Sequence, residues 1–163
     1  MTLHVKTFVL LAAILITGLS AGFFYAWQVS VIPGTRRIAD PAYLETMQSI
    51  NRAILNPWFF LVFMGSPVLL GISTIQHYGS GYSFWLLLSA TVIYAVGTFG
   101  VTAAGNVPLN DMLDALDLST LGEQEMRSFR QKYEGRWNRL HLIRTVFAVV
   151  AFLLSLLPLF TTD

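Results

Sequence analysis

Three side chains near the C-terminal end of the chain have the types and spacing to do chemistry together. Trp137, His141 and Arg144 stand at i, i+4 and i+7, so a helix would place them on one face. They open an apolar run, Val146 to Phe160, that with its flank is long enough to cross a bilayer. Arg144 would then lie about one turn below the interface, where an arginine costs roughly 2.5–3.5 kcal/mol on insertion scales. A charge in that position faces a bundle interior or snorkels to water. The segment from Arg136 to Thr145 is therefore read as the polar floor of an intramembrane pocket, with His141 as its one group that ordinarily titrates near neutrality.

Asparagines gather at the same level. Asn51 and Asn56 precede one apolar run, Asn106 and Asn110 follow another, and Asn138 stands beside Trp137. Each has a structural role open to it: Asn56, ahead of Pro57, suits a helix N-cap, and Trp58 suits the interfacial aromatic belt. Taken as a set around His141 and Arg144, they point to a binding site. A metal or haem centre is not expected, because His4 and His77 belong to the opposite end and no pair of carboxylates converges. There is no glycine-rich phosphate loop and no Ser-His-Asp arrangement. An amide-lined aromatic pocket with one base and one buried cation suits a flat, apolar molecule bearing phenol or ketone oxygens.

Four apolar runs must position these groups. The chain has 163 residues, 55% of them hydrophobic and only 12% charged, with a mean hydropathy of +0.61. A soluble domain would carry about 25% charge. The runs cover about 7–31, 56–76, 82–104 and 140–160, and in lipid runs of this length are helices. The expected fold is all-α, a single-domain membrane four-helix bundle over residues 1–163. The first run resembles a signal peptide at its start, but it exceeds twenty residues and reads as an uncleaved span. It should stop before Pro33-Gly34, and Gly105 to Asn110 should close the third span. Pro67 should kink the second.

The loops carry their own patterns. Tyr43, Met47, Ile50 and Ile54 repeat at helical spacing, so about 41–55 should form an amphipathic helix with Asp40 as N-cap and Pro41 at N1. A second loop helix, about 121–136, should start at a capping box over Thr120–Glu123. It presents Met126, Phe129, Tyr133 and Trp137 on one stripe, with Gly135 as the expected bend before the fourth span. Lys6 is alone on the side of the termini. Arg36, Arg37, Arg52, Arg127, Arg130, Lys132, Arg136, Arg139 and Arg144 all lie toward the long loops. The positive-inside rule then puts those loops in the cytoplasm and both termini outside. Gly18-x3-Gly22 and the Gly97, Gly100, Ala104 series allow close helix approach, read as packing within the bundle rather than a dimer motif. The formal net charge of +1 and the lack of a basic, aromatic-interleaved run argue against nucleic acid. The absence of cysteine excludes dithiol relays. The expected partners are the membrane and a small apolar aromatic molecule or lipid, with a homo-oligomer left open.

Several of these segments together resemble a known family. They are Phe23 to Trp27, Met47 to Asn51, Gly105 to Asn110, and Trp137 to Thr145. The combination resembles the anthrone oxygenase-like family of four-span membrane proteins, whose fungal members oxidise anthrones to anthraquinones. The resemblance implies an oxygenase that works without a cofactor. His141 would be the base, and Arg144 with Asn138 or Asn106 would stabilise the enolate oxygen. Trp137, Trp58 and Tyr25 would sandwich the rings, with Asn51, Asn56 and Asn110 completing the binding residues. The rival class is a non-enzymatic protein that binds or exports a quinone, lipid or other small molecule, or serves as an accessory subunit.

Overall fold

The computed structural model describes residues 5–161; His4, at the start of the chain, lies outside them. Of the described elements, α1 (Val5–Thr35), α3 (Pro57–Gln76), α4 (Gly81–Asp114) and α5 (Glu123–Phe160) are each long and apolar enough to cross a membrane. The amphipathic α2 (Asp40–Ala53) lies between the first two. Helix α1 packs on α3 and α5, and α4 packs on α3 and α5, giving a four-helix ring. The ring's outer surface is apolar: Phe8, Leu15, Leu61, Val68, Val96 and Leu153 are all exposed. Only lipid can cover such a surface on every side. The protein is an all-α, four-span membrane bundle.

Small residues mark the inner face. In α1 the buried positions include Ala13, Thr17, Ser20, Ala21 and Phe24. A Cβ added at Gly18 would come within 2.9 Å of the Phe152 ring, and one at Gly97 within 2.1 Å of Phe147 Cγ. Both neighbours are on α5, so these glycines let spans approach inside one bundle. Gly22 has nothing within 4 Å of its missing Cβ.

Two spans run further than their prolines suggest. α1 continues through Pro33 to Thr35, and α4 continues through Pro108 to Asp114. Each proline follows a π-helical turn, Trp27–Val31 in α1 and Thr102–Asn106 in α4. The Ile32 N–H bonds to the Trp27 carbonyl, and the Val107 N–H bonds to that of Thr102. Widening the helix by one residue accommodates the missing proline N–H and its ring, so the chain need not stop. Pro67 sits within α3, where its missing N–H frees the Phe63 carbonyl. The Tyr94 hydroxyl of α4 donates to that carbonyl at 3.3 Å and shares a 2.6 Å hydrogen bond with Ser20 of α1.

The loop helices form a lid at one end. α5 is continuous from Glu123 to Leu156, with no break at Gly135. Its first turn is boxed two residues later than the sequence suggests: Glu125 accepts from the Gly122 N–H at 2.9 Å. The N-cap of α2 is Ala39 rather than Asp40. Tyr43, Leu44 and Met47 of α2 bury against Leu109, Leu113, Tyr133 and Trp137. Arg130 pins this lid. It donates to the carbonyls of Thr35, Arg36 and Ile38 and pairs with Asp40 and Glu134. Its cation thus meets the carbonyl-rich C-terminus of α1. It also covers the ring of Tyr43, 4.2 Å from its centroid. Burial, helped by the nearby Glu134 charge, pushes the Tyr43 phenol above its ordinary range. On the exposed rim, hydrogen bonds from Ser119 hold the Asp117 carboxyl below its ordinary value.

Candidate functional site

Beneath the lid the helix spacing brings Trp137, His141 and Arg144 together. The indole and imidazole stack at 5.1 Å between centroids with an interplanar angle of 5°. His141 is 0% exposed and Arg144 8%. The guanidinium donates to His141 Nδ1 from Nε at 3.2 Å and from Nη2 at 2.9 Å. From Nη1 it reaches Thr102 Oγ1 at 3.3 Å. An arginine has donors only, so Nδ1 must supply the lone pair. The neutral ring then carries its proton on Nε2, which donates to the Phe24 carbonyl at 3.1 Å. This assigns the tautomer from the network.

The cation also lies 4.7 Å from the Phe24 ring and 5.2 Å from the Trp137 ring. Among the described residues, no carboxylate forms an ion pair with Arg144; the four salt bridges all lie in the lid. Among the described residues its charge meets ring faces, a hydroxyl and an imidazole lone pair.

Amides tie the lid to this group. Trp137 Nε1 donates to Asn110 Oδ1 at 2.8 Å, and the Tyr133 hydroxyl donates to the same oxygen at 3.3 Å. Asn51 of α2 donates to that hydroxyl at 3.2 Å. Asn106 is buried and donates to the Trp137 carbonyl at 3.3 Å, while its Oδ1 has no partner among the described residues. Asn51, Asn110, Trp137, His141 and Arg144 line one chamber of about 70 Å3 together with Thr102, Phe24 and Trp27.

The remaining expected residues lie elsewhere. Asn56 caps α3, accepting from the Phe59 N–H at 3.0 Å. It also lines a separate groove of about 540 Å3 together with Trp58. Trp58 is 79% exposed and Tyr25 57%, and neither lines the chamber. Asn138 is half-buried on the flank of α5 and is not among the chamber's residues either. The ring beside the histidine is instead Trp27, 5.9 Å from Trp137 and 6.4 Å from His141. A signal for this was present: the buried stripe of α1 passes through Ser20 and Phe24, and Trp27 continues it at i+3 while Tyr25 lies about 100° away. Tyr133 was legible only as a position on the stripe of the second loop helix. At the opposite end His77 is buried, its Nδ1 2.7 Å from the Ser73 carbonyl.

A family model described as anthrone oxygenase matches residues 58–154, more than half of the chain. This protein belongs to the anthrone oxygenase family. The matched segment holds α3, α4 and most of α5, and so Thr102, Asn110, Trp137, His141 and Arg144. The first span and α2, which bring Phe24, Trp27 and Asn51 to the chamber, precede it. No curated protein and no solved structure matches the chain.

Proposed function

We propose that this anthrone oxygenase family member is a cofactor-independent oxygenase acting on an anthrone-like or other apolar phenolic ketone. The observation that carries this reading is the Arg144 guanidinium, buried beneath the lid without a carboxylate partner among the described residues. A cation kept this way is stabilised most by an oxyanion that develops within reach of it. The ring carbonyl of the substrate accepts from Arg144. As negative charge grows on that oxygen the guanidinium shifts toward it and releases His141 Nδ1, whose freed lone pair takes the methylene proton. The enolate carbon then reduces dioxygen and forms a C–O bond. Cleavage of the peroxide O–O bond leaves one oxygen as the new ketone and the other as water. The methylene loses four electrons and dioxygen gains four. The bilayer supplies both apolar reactants, and the excess of arginine and lysine at the lid supports a cytoplasmic position for that end.

Oxygen uptake by purified protein in lipid nanodiscs, given emodin anthrone, tests the reading. Uptake should exceed that of empty nanodiscs. His141→Gln should lower turnover by roughly 10²–10⁴-fold, the usual contribution of a positioned base, while leaving binding of the anthraquinone emodin nearly unchanged. Uptake equal to the blank would refute it. The second reading, amphiphile binding without turnover, is favoured by one observation: both imidazole nitrogens are already engaged. Emodin binding without oxygen uptake would establish it.

A further inference from the structure

The chamber and the groove are neighbours of very different size. The chamber, at about 70 Å3, has room for about two waters at their share of liquid volume. It is too small for three fused rings. The groove, at about 540 Å3, falls within the ordinary range of small-molecule sites. It lies between α1, the end of α2 and α3, with Leu19, Trp58 and Ala53 at its exposed side. From Leu19 to Trp27 it follows about 12 Å of α1, at 1.5 Å per residue. Apart from Ser20 and Asn56 its lining is apolar.

Phe23, Trp27, Ile54 and Phe59 line both spaces. Phe23 of α1 and Phe59 of α3 meet across this boundary at 5.9 Å between centroids. Phe23 is 41% exposed, whereas Phe59 is half-buried and stacks on Phe63 of the core. The Phe23 ring can therefore change rotamer without opening the core. Trp27 begins the π-helical turn of α1, a local irregularity that frequently marks functional positions.

We infer that the site takes an amphiphile head-first from the bilayer, with its oxygen-bearing end against Arg144 in the chamber and its apolar body in the groove. The Phe23–Phe59 pair is the door between the two. The charge argues for the head: the chamber holds a cation with no carboxylate partner among the described residues, whereas the groove lining has no charged side chain. The volumes argue for the division, since only a small oxygen-bearing group fits beside the guanidinium. This rests on the oxygenase reading only for which end of the substrate reacts. It names an elongated phenol or enolisable ketone, rather than a compact tricycle held wholly inside the bundle, as the shape the site selects.

Calorimetric titration of nanodisc-embedded protein with 4-octylphenol, and with 4-ethylphenol by competition, tests the division. Counted against the phenol dissolved in the nanodisc lipid, the wild type should bind 4-octylphenol about tenfold more tightly, because only the longer chain packs against the groove lining. Ala53→Trp adds bulk on the groove side at an exposed position, away from the packed core. It should weaken 4-octylphenol about tenfold and leave 4-ethylphenol unchanged, since a filled groove excludes only the tail. Leu19→Trp, at another exposed position that lines the groove and not the chamber, should act alike should the first variant fold poorly. Arg144→Leu should weaken both phenols. Equal affinities of the two phenols for wild type, or equal losses for both in the groove variants, would overturn the proposal. Tail-selective binding without anthrone oxidation supports the divided site and ends the oxygenase reading. Anthrone oxidation without tail selectivity ends the divided site alone.

Discussion

Replacing Arg144 by methionine separates a buried cation kept for function from one kept as a strut. The side chain is 8% exposed, and methionine fills a similar length without charge. Removing an arginine from membrane depth returns roughly 2.5–3.5 kcal/mol on insertion scales. Against this, His141 Nδ1 loses both its donors, and a buried acceptor left unpaired costs about 1–3 kcal/mol. The contacts with the Phe24 and Trp137 rings add on the order of 1–2 kcal/mol more. These opposing effects nearly cancel, so Arg144→Met should lie within about 2 kcal/mol of wild-type stability. Breaking a structural buried ion pair would instead cost about 3–5 kcal/mol. The double variant Arg144→Met with His141→Leu should be more stable than the single by about 1 kcal/mol, because Nδ1 is no longer stranded although the Phe24 carbonyl loses its bond from Nε2. Turnover of emodin anthrone should fall by about 10²–10³-fold in either, as for loss of an oxyanion-stabilising donor. Stability is read by unfolding in mixed micelles, and activity by oxygen uptake. A loss above about 4 kcal/mol in Arg144→Met that the second substitution does not recover would refute the reasoning and make Arg144 a structural group.

Three further outcomes follow from particular contacts. Gly97→Ala drives a methyl against Phe147 Cγ and Cβ, at 2.1 and 2.7 Å, so the bundle should lose about 1–3 kcal/mol by overpacking. Adding Phe147→Ala should recover part of that loss in the same unfolding assay, and an unchanged Gly97→Ala variant would show that the two helices adjust freely. For topology, Tyr78→Cys in the exposed turn between α3 and α4, and Glu123→Cys in the lid, should label from opposite faces of intact cells; labelling of the lid position from outside would reverse the orientation. The Tyr43 phenol titrates higher when folded than unfolded because it is buried, so its share of stability is complete below the unfolded value, about 10, and is lost as pH rises beyond it. Tyr43→Phe should therefore flatten the alkaline fall in stability, and an unaltered slope would show that the phenol is freely hydrated.

Much of the architecture was legible because it is written locally. The length of an apolar run decides whether it crosses a bilayer, and four runs did so with nothing else needed. The i, i+4, i+7 spacing put Trp137, His141 and Arg144 on one helix face whatever surrounded them. Asn56 before Pro57 was sufficient for the N-cap of α3, since that bond spans only three residues. The amphipathic stripe of α2 was equally local, because one of its faces meets water.

The tertiary structure decided what depends on how each span is turned about its axis. In lipid both faces of a span are apolar, so hydrophobicity does not mark the inner one. That is why Tyr25 looked as eligible as Trp27, although the first faces outward and the second reaches His141. Pro33 and Pro108 read as helix ends because proline usually stops a helix in isolation; here a π-helical turn ahead of each carries the chain past it. Arg130 read as one more loop cation, yet it closes the end of α1 through carbonyls more than ninety residues away in sequence. The engagement of the His141 lone pair by Arg144, and the division between chamber and groove, have no local signature. They exist only once four helices fix the rotamers of side chains that the sequence could place on a face but not aim.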